Sequence, residues 1–200
     1  MKALSLLMIL CPGLLLVACG DDEDAPDRRG IYAIQSWTQN ATACDSDGEE
    51  QPDAITETPW LIIDRVSVDL FGFTSVQTGA ATCKDDQDCL QQTDGENLFA
   101  LFTTIMFPSG SRGGVYTEES FSGGIQDGQC SGTYRKHRLS FPEDKVALLE
   151  RLDYDVSFPS VTEEDYESCE PEAAAAAAKD APCSAKRLIK AALDHAVPSR

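Results

Sequence analysis

The residues with the most definite chemistry in this chain are its cysteines. Six of the eight lie between residues 44 and 183, and none of them forms a C-x-x-C pair. That spacing argues against a redox-active pair and against a zinc site. An even number of widely spaced cysteines instead predicts three structural disulfides. The six candidates are Cys44, Cys83, Cys89, Cys130, Cys169 and Cys183.

The pairing of these cysteines is open, since six allow many connectivities. We favour Cys83–Cys89 and Cys169–Cys183, because each pair would close a loop over a short polar segment. Cys44–Cys130 is what remains. Free buried thiols are the alternative.

Acidic loops supply the next candidates for chemistry. "DSDGEE" begins like a calcium-binding loop, with Asp45 and Asp47 at alternate positions. The EF-hand pattern requires glycine at its sixth place, where this chain has Glu50. Asp45 and Asp47 are therefore weak calcium candidates, and a solvated loop is the preferred interpretation. We expect no metal and no cofactor.

One basic cluster, "YRKHR", interrupts this acidic chain. Arg135, Lys136 and Arg138 could form a docking patch for an anionic group. The preferred alternative is charge balance with acidic residues across the sheet, because opposite cross-strand charges stabilise a strand pair.

No catalytic signature accompanies these groups. The two histidines, His137 and His195, lack ligand spacings such as H-E-x-x-H. The chain also has no G-x-S-x-G elbow and no phosphate-binding glycine loop. We therefore expect a protein that is not an enzyme, and the alternative is an envelope hydrolase with an unrecognised carboxylate site.

The elements that must position these residues are mainly strands. "RLDYDVSF" alternates apolar and polar residues over Arg151–Phe158, and "IYAIQSWT" is rich in β-branched and aromatic residues. "NLFALFTTIMF" is apolar on both faces and predicts a central strand over 97–107. "FPEDKVALLERL" has helix-start chemistry, yet its period of two predicts a turn that enters a strand. Short strands between Gly- and Asp-rich turns indicate an antiparallel barrel or sandwich.

The C-terminal part differs in composition. "PEAAAAAAKD" predicts a short helix pinned between Cys169 and Cys183. "SAKRLIKAALD" fits either a second short helix or a closing strand.

The first residues form a separate segment. Lys2 is the only charge before Asp21, and an apolar stretch runs from Ala3 to Val17, broken by Pro12 and Gly13. This stretch is shorter than a membrane-spanning helix and matches a signal peptide.

Leu16-Val17-Ala18-Cys19 resembles the lipobox of bacterial lipoproteins. The resemblance implies that residues 1–18 are removed and that Cys19 is lipidated, which anchors the protein to the membrane without spanning it. Gly20, in the place where aspartate is associated with inner-membrane retention, implies an outer-membrane lipoprotein facing the periplasm or the cell surface. Residues 19–29 then form an acidic tether.

Charge restricts the partners. The chain carries a formal net charge of −18, which argues against nucleic acid because phosphates would be repelled. The expected partners are the membrane, through the N-terminal lipid, and a small apolar ligand or an envelope protein.

Gly30 with Tyr32 and Trp37 resembles the first-strand motif of lipocalins, although that motif has Trp two residues after the glycine, where this chain has Tyr32. The resemblance implies a meander barrel that is lipocalin-like at most. We thus expect one mainly-β, disulfide-clipped domain over 30–200, helical from about residue 170, with a non-catalytic binding or structural role. Ile34, Trp37, Phe99 and Phe102 are candidates to line an apolar cavity.

Overall fold

The fold is mainly β, as the alternating segments predict. The computed structural model describes residues 28–70, 73–94, 103–107, 114–163 and 166–197. The strands are β1 (Gly30–Asn40), β2 (Glu49–Glu50), β3 (Trp60–Leu70), β4 (Phe73–Cys83), β5 (Ile105–Phe107), β6 (Val115–Gln126), β7 (Gln129–Glu143), β8 (Val146–Pro159), β9 (Val161–Glu163), β10 (Tyr166–Ser168) and β11 (Cys183–His195). The helices are α1 (Pro52–Glu57), α2 (Asp86–Gln92) and α3 (Pro171–Ala178).

The large sheet is a nearly closed antiparallel barrel. Its strands follow the order β5-β4-β3-β1-β11-β8-β7-β6, and the short β2 pairs with β1. Neighbours in this order are mostly neighbours in sequence, so the sheet is a meander in which β1 and β11 form the seam. The two ends of the sheet, β5 and β6, approach each other through an edge-on contact of Phe107 with Tyr116, whose ring centroids are 6.2 Å apart. The expected choice between barrel and sandwich is thereby resolved as a barrel.

Local sequence explains the longest hairpin. Asp127 and Gly128 form the two-residue loop between β6 and β7, and both have positive φ, 53° and 72°. Asp-Gly is a preferred pair for this turn, whose twist matches that of the flanking strands. Gly123 lies opposite Gly132, and a Cβ on Gly123 would come within 2.3 Å of the carbonyl oxygen of Ser131. The two strands therefore stay paired through this glycine-rich region, where their backbones approach closely.

One end of the barrel is filled by aromatic side chains. Tyr32 packs against Phe141, and Phe141 packs against Tyr116, with ring centroids 6.4 Å apart in each pair. The Arg28 guanidinium lies 5.5 Å above the Phe141 ring and forms an ion pair with Asp144 at 2.7 Å. This end is therefore closed by packed rings.

Helix α3 packs on the outer face of the sheet formed by strands β6, β7 and β8. Ala174 and Ala178 are buried there against Val156 and Phe158. The predicted short helix is confirmed over Pro171–Ala178. The segment after it is strand β11, so the closing strand is the correct one of the two alternatives for this segment, and the part expected to be helical from about residue 170 ends at Ala178. A strand forms there because Cys183–His195 pairs with β8 on one side and with β1 on the other.

All six predicted cysteines form disulfides, but one of the two favoured pairs, and with it the pair that remained, is wrong. Cys83–Cys89 is confirmed, with Cα atoms 5.0 Å apart across the start of α2. The other bonds are Cys44–Cys183 and Cys130–Cys169, with Cα separations of 5.6 and 5.8 Å. The favoured Cys169–Cys183 and Cys44–Cys130 fail because the β1–β11 pairing brings Cys44 to the start of β11, whereas Cys169 lies above β7.

Two other expectations need revision or lie outside the description. The segment 97–107 was expected to be a central strand, but its described part, Ile105–Phe107, is an edge strand that pairs with β4 alone. Phe99 and Phe102, the leader, Cys19 and the tether up to residue 27 fall outside the described residues. Among the residues that are described, none of the helices is both long enough and apolar enough to cross a membrane.

Candidate ligand-binding cavity

A cavity of about 530 Å³ lies inside the barrel, beyond the aromatic end. Its lining comes from β1, β4, β5, β6, β7, β8 and β11, so strands surround it on nearly every side. The side chains that matter most for its chemistry are Trp37, Glu118, Ser120, Arg135, His137, Leu149, Arg151, Arg187 and Ile189. Its volume falls within the range of small-molecule sites, roughly 300–1,000 Å³.

The strand register arranges these side chains in layers. Directly opposite residues of an antiparallel pair point to the same face. One interior layer is charged or polar and crosses five strands in register: Gln39, Arg187, Arg151, His137 and Glu118. The next layer, two residues along each strand, is apolar: Trp37, Ile189, Leu149, Leu139 and Tyr116. The cavity therefore has a charged part directly next to an apolar part.

Asp153 neutralises two of the interior arginines. Its carboxylate accepts hydrogen bonds from Arg151 Nε and Nη2 at 2.9 and 2.6 Å, and a longer one from Arg135 Nε at 3.3 Å. Burial opposes the ionisation of this carboxyl group, but the hydrogen bond and charge of Arg151 and the charge of Arg135 outweigh it. The pKa of Asp153 is therefore lowered from its ordinary value. Asp153 is a fixed anion that holds both guanidinium groups in place.

His137 and Glu118 form a second buried pair. His137 Nδ1 lies 2.7 Å from Glu118 Oε2, and His137 is only 8% exposed. An ionised carboxylate can only accept, so the ring donates through Nδ1. Ser120 lines the cavity beside this pair, but in the described part of the chain no hydrogen bond joins its hydroxyl to His137.

Arg187 has no such acidic partner. Within the described ranges, no carboxylate lies at ion-pair distance from it, and its one hydrogen bond is a long contact of 3.5 Å from Nη2 to Gln39 Oε1. Its guanidinium carbon lies 5.6 Å from the centroid of the Trp37 ring. Desolvation by burial, together with the positive charge of Arg151, lowers the pKa of Arg187 from its ordinary value. The negative charge of Asp153 partly offsets this lowering of the pKa, but among the described residues no carboxylate forms an ion pair with Arg187.

Two buried donors at this place are also unpaired. Arg187 Nε and Trp37 Nε1 have no hydrogen-bond partner within the described part of the chain, and Trp37 is only 9% exposed. Leaving a buried donor without a partner costs about 1–3 kcal/mol. The unsatisfied side of the cavity is therefore the β1–β11 wall, where the charged layer meets the apolar layer.

The predicted docking cluster is divided by the alternation of β7. Arg135 points into the barrel with His137, whereas Lys136 points outward and forms an ion pair with Glu119 at 2.9 Å. Arg138 is also outward and lies opposite Glu150 in the register. The three cations do not form one surface patch, and their partners match the charge-balance interpretation.

The two calcium candidates, Asp45 and Asp47, do not lie in a metal-binding arrangement with other described residues. Asp47 forms an ion pair with Lys186 at 2.6 Å, and Asp45 is exposed. Over the described residues, no group of three or more His, Cys, Asp or Glu side chains has a metal-binding arrangement. His195 is near the surface, with Nδ1 2.8 Å from Asp194 Oδ2.

Sequence reasoning identified Trp37 as a cavity candidate and missed the interior charges. The alternation of "RLDYDVSF" placed Arg151 and Asp153 on one polar face but did not indicate that this face lines the barrel, and Arg187 was not singled out. The available signal was that the polar face of "RLDYDVSF" contains an Arg-x-Asp pair, whose charges can neutralise each other away from water.

No protein-family model matches this chain, and comparisons with curated proteins and with solved structures also found no match. The function is therefore inferred from the cavity and from the leader sequence.

Proposed function

We propose that this protein is a non-catalytic, lipid-anchored binding protein of the bacterial cell envelope, whose barrel holds one small molecule. The observation that carries the proposal is the cavity of about 530 Å³ within the barrel, with charged and apolar layers side by side. Sites for small molecules are typically concave, with placed polar groups beside apolar surface. This cavity is concave and has both kinds of surface, although its lining is more polar than that of a typical site.

The location follows from two other features. Three disulfides support an exported protein, because such bonds persist in oxidising compartments. The lipobox ending at Cys19 supports a lipid anchor, and Gly20 favours the outer membrane by the same resemblance. The acidic tether that follows would hold the barrel away from the anionic lipid surface.

The polarity of the cavity argues for a ligand rather than a simple core. Plain barrel cores are filled by side chains, whereas here a space of about 530 Å³ remains between the strands, with charged side chains in its lining. An occupant that supplies an acceptor and an apolar surface would satisfy both walls. A purely apolar ligand, the expectation from sequence, would satisfy only the apolar layer.

The test fills the cavity from within. Ser120→Phe places a ring in the space from β6, while Thr117→Phe places the same ring on the exposed face of the same strand. We expect the fluorescent probe 8-anilinonaphthalene-1-sulfonate to bind the wild type and Thr117→Phe with one saturable site, and Ser120→Phe at least about tenfold more weakly, because the ring occupies the ligand volume.

Equal binding by Ser120→Phe and the wild type would contradict the proposal, because the probe would then bind elsewhere. Sustained turnover of ester, glycoside or peptide substrates by the wild type would contradict its non-catalytic part and favour the alternative of an envelope hydrolase.

A further inference from the structure

The charge inside the barrel has the opposite sign to the charge of the chain. Three arginines, Arg135, Arg151 and Arg187, face two carboxylates, Asp153 and Glu118, so these five groups have an excess of one positive charge. The whole chain carries −18. Charged residues on the surface of a protein keep it soluble, but this role does not explain cations inside the barrel of so acidic a protein.

The excess positive charge is located at Arg187. Asp153 contacts Arg151 and Arg135, and Glu118 contacts His137, so both interior carboxylates already have partners. Among the residues that the structure describes, Arg187 has the long contact to Gln39 and the face of Trp37 but no ion pair. A guanidinium group presents its donors in a planar fork that matches a carboxylate or a phosphate.

The apolar body of a ligand would meet the adjacent layer. Trp37, Ile189 and Leu149 lie one layer below Arg187 and Arg151 in the register. The site thus has one position that can bind an anion, at Arg187, and an apolar surface two residues further along the strands. This arrangement favours a molecule with an anionic group and an apolar body.

We propose that the ligand is an organic anion, with a single carboxylate or phosphate group against Arg187 and an apolar body against Trp37, Ile189 and Leu149. This inference rests on the proposed binding function and specifies the class of its ligand. Arg187 provides the counter-charge, and the Arg151–Asp153 pair holds the neighbouring wall in position.

The test compares four ligands that share one decyl chain: decanoate, decyl phosphate, decanol and decyltrimethylammonium, each below its micelle concentration at pH 7. The chain has two tryptophans, so Trp60→Phe leaves Trp37 as the only reporter. Its fluorescence is titrated with each ligand, and thermal unfolding confirms that each variant is folded.

We expect at least one anion to bind about tenfold or more tightly than decanol, and decyltrimethylammonium to bind most weakly. Preference between decanoate and decyl phosphate distinguishes the two headgroups. Arg187→Gln should weaken the anions about tenfold and change decanol binding less than twofold, whereas Arg138→Gln, on the outer face, should change neither.

The outcomes separate this inference from the proposed function. Decanol binding as tightly as both anions would overturn the anion inference and leave the binding function intact, and a preference for the cation would do the same. Failure of all four ligands, together with failure of the anilinonaphthalene probe, would overturn both. The ligand comparison in the wild-type cavity remains decisive if Arg187→Gln does not fold.

Discussion

Two arginines at the same level of the barrel differ in what they contact. Arg151 and Arg187 are opposite each other in the β8–β11 register, yet only Arg151 is held by Asp153. Arg151 is therefore fixed and largely neutralised, whereas Arg187 keeps its charge available. The division of roles between structure and binding lies in this difference between neighbouring side chains.

Removing the Asp153 charge should destabilise the barrel in a pH-dependent way. Asp153→Asn leaves Arg151 and Arg135 without their carboxylate, and we expect a loss of about 2 kcal/mol in the free energy of unfolding at pH 7. Asp155→Asn, on an exposed position two residues further along, is the matched control and should cost less than about 0.5 kcal/mol.

The sign of the pH effect follows from the lowered pKa of Asp153. Its ionised form contributes stability that is fully present above the unfolded pKa, about 4, and is lost as the pH falls through the lower folded pKa. Urea denaturation at several pH values should therefore show the largest gap between the wild type and Asp153→Asn near neutral pH, and a shrinking gap below about pH 4. A gap that widens in acid would contradict this account.

Among the elements, helix α3 is held by one narrow face. Ala174 and Ala178 are buried on β7 and β8, while Ala176 is exposed. Small side chains allow the helix to lie close to Val156 and Phe158. The disulfide Cys130–Cys169 joins the start of this helix to the strand beneath it.

A charge on that narrow face should detach the helix. Ala174→Glu would bury a carboxylate without a partner, and we expect a loss of about 3 kcal/mol or more in the free energy of unfolding. Ala176→Glu places the same side chain in solvent and should cost less than about 1 kcal/mol. Chemical denaturation measures both, and equal losses would show that α3 does not pack as described.

At the scale of secondary-structure elements, the sequence predicts where the strands lie, but it does not predict which face of each strand points into the barrel. The alternation in "RLDYDVSF" correctly indicates a strand, but its apolar residues Val156 and Phe158 lie on the outer face beneath α3, and its polar residues Arg151 and Asp153 point into the barrel. A period of two does not specify which face is inside, because a helix can cover the outside and ion pairs can fill the inside.

The failed disulfide pairs have a similar cause. Cys44 and Cys183 are separated by 139 residues, and only the β1–β11 seam brings them together. Local loop length, the basis for favouring Cys169–Cys183, contains no information on which distant strands are neighbours. The same argument explains Arg187, since its proximity to Trp37 depends on this seam.

For the whole molecule, we propose an exported barrel that is attached to the membrane by a lipid on Cys19, a residue outside the described ranges. The anchor is tested separately from the barrel. We expect Cys19→Ser to abolish incorporation of labelled palmitate and to release the protein from the membrane fraction, because the acyl chains provide the attachment. Cys11→Ser, inside the leader, should leave the labelling unchanged. Persistent labelling of Cys19→Ser would contradict the lipobox interpretation.

The central claim is that the barrel carries a small molecule in its cavity. The most direct measurement is the native mass spectrum of residues 20–200, exported to the periplasm and purified as the wild type, Ser120→Phe and Thr117→Phe. The account predicts one stoichiometric added mass in the wild type and Thr117→Phe, absent from Ser120→Phe and lost on denaturation. A bare native mass for all three proteins, or the same added mass on Ser120→Phe, would contradict it.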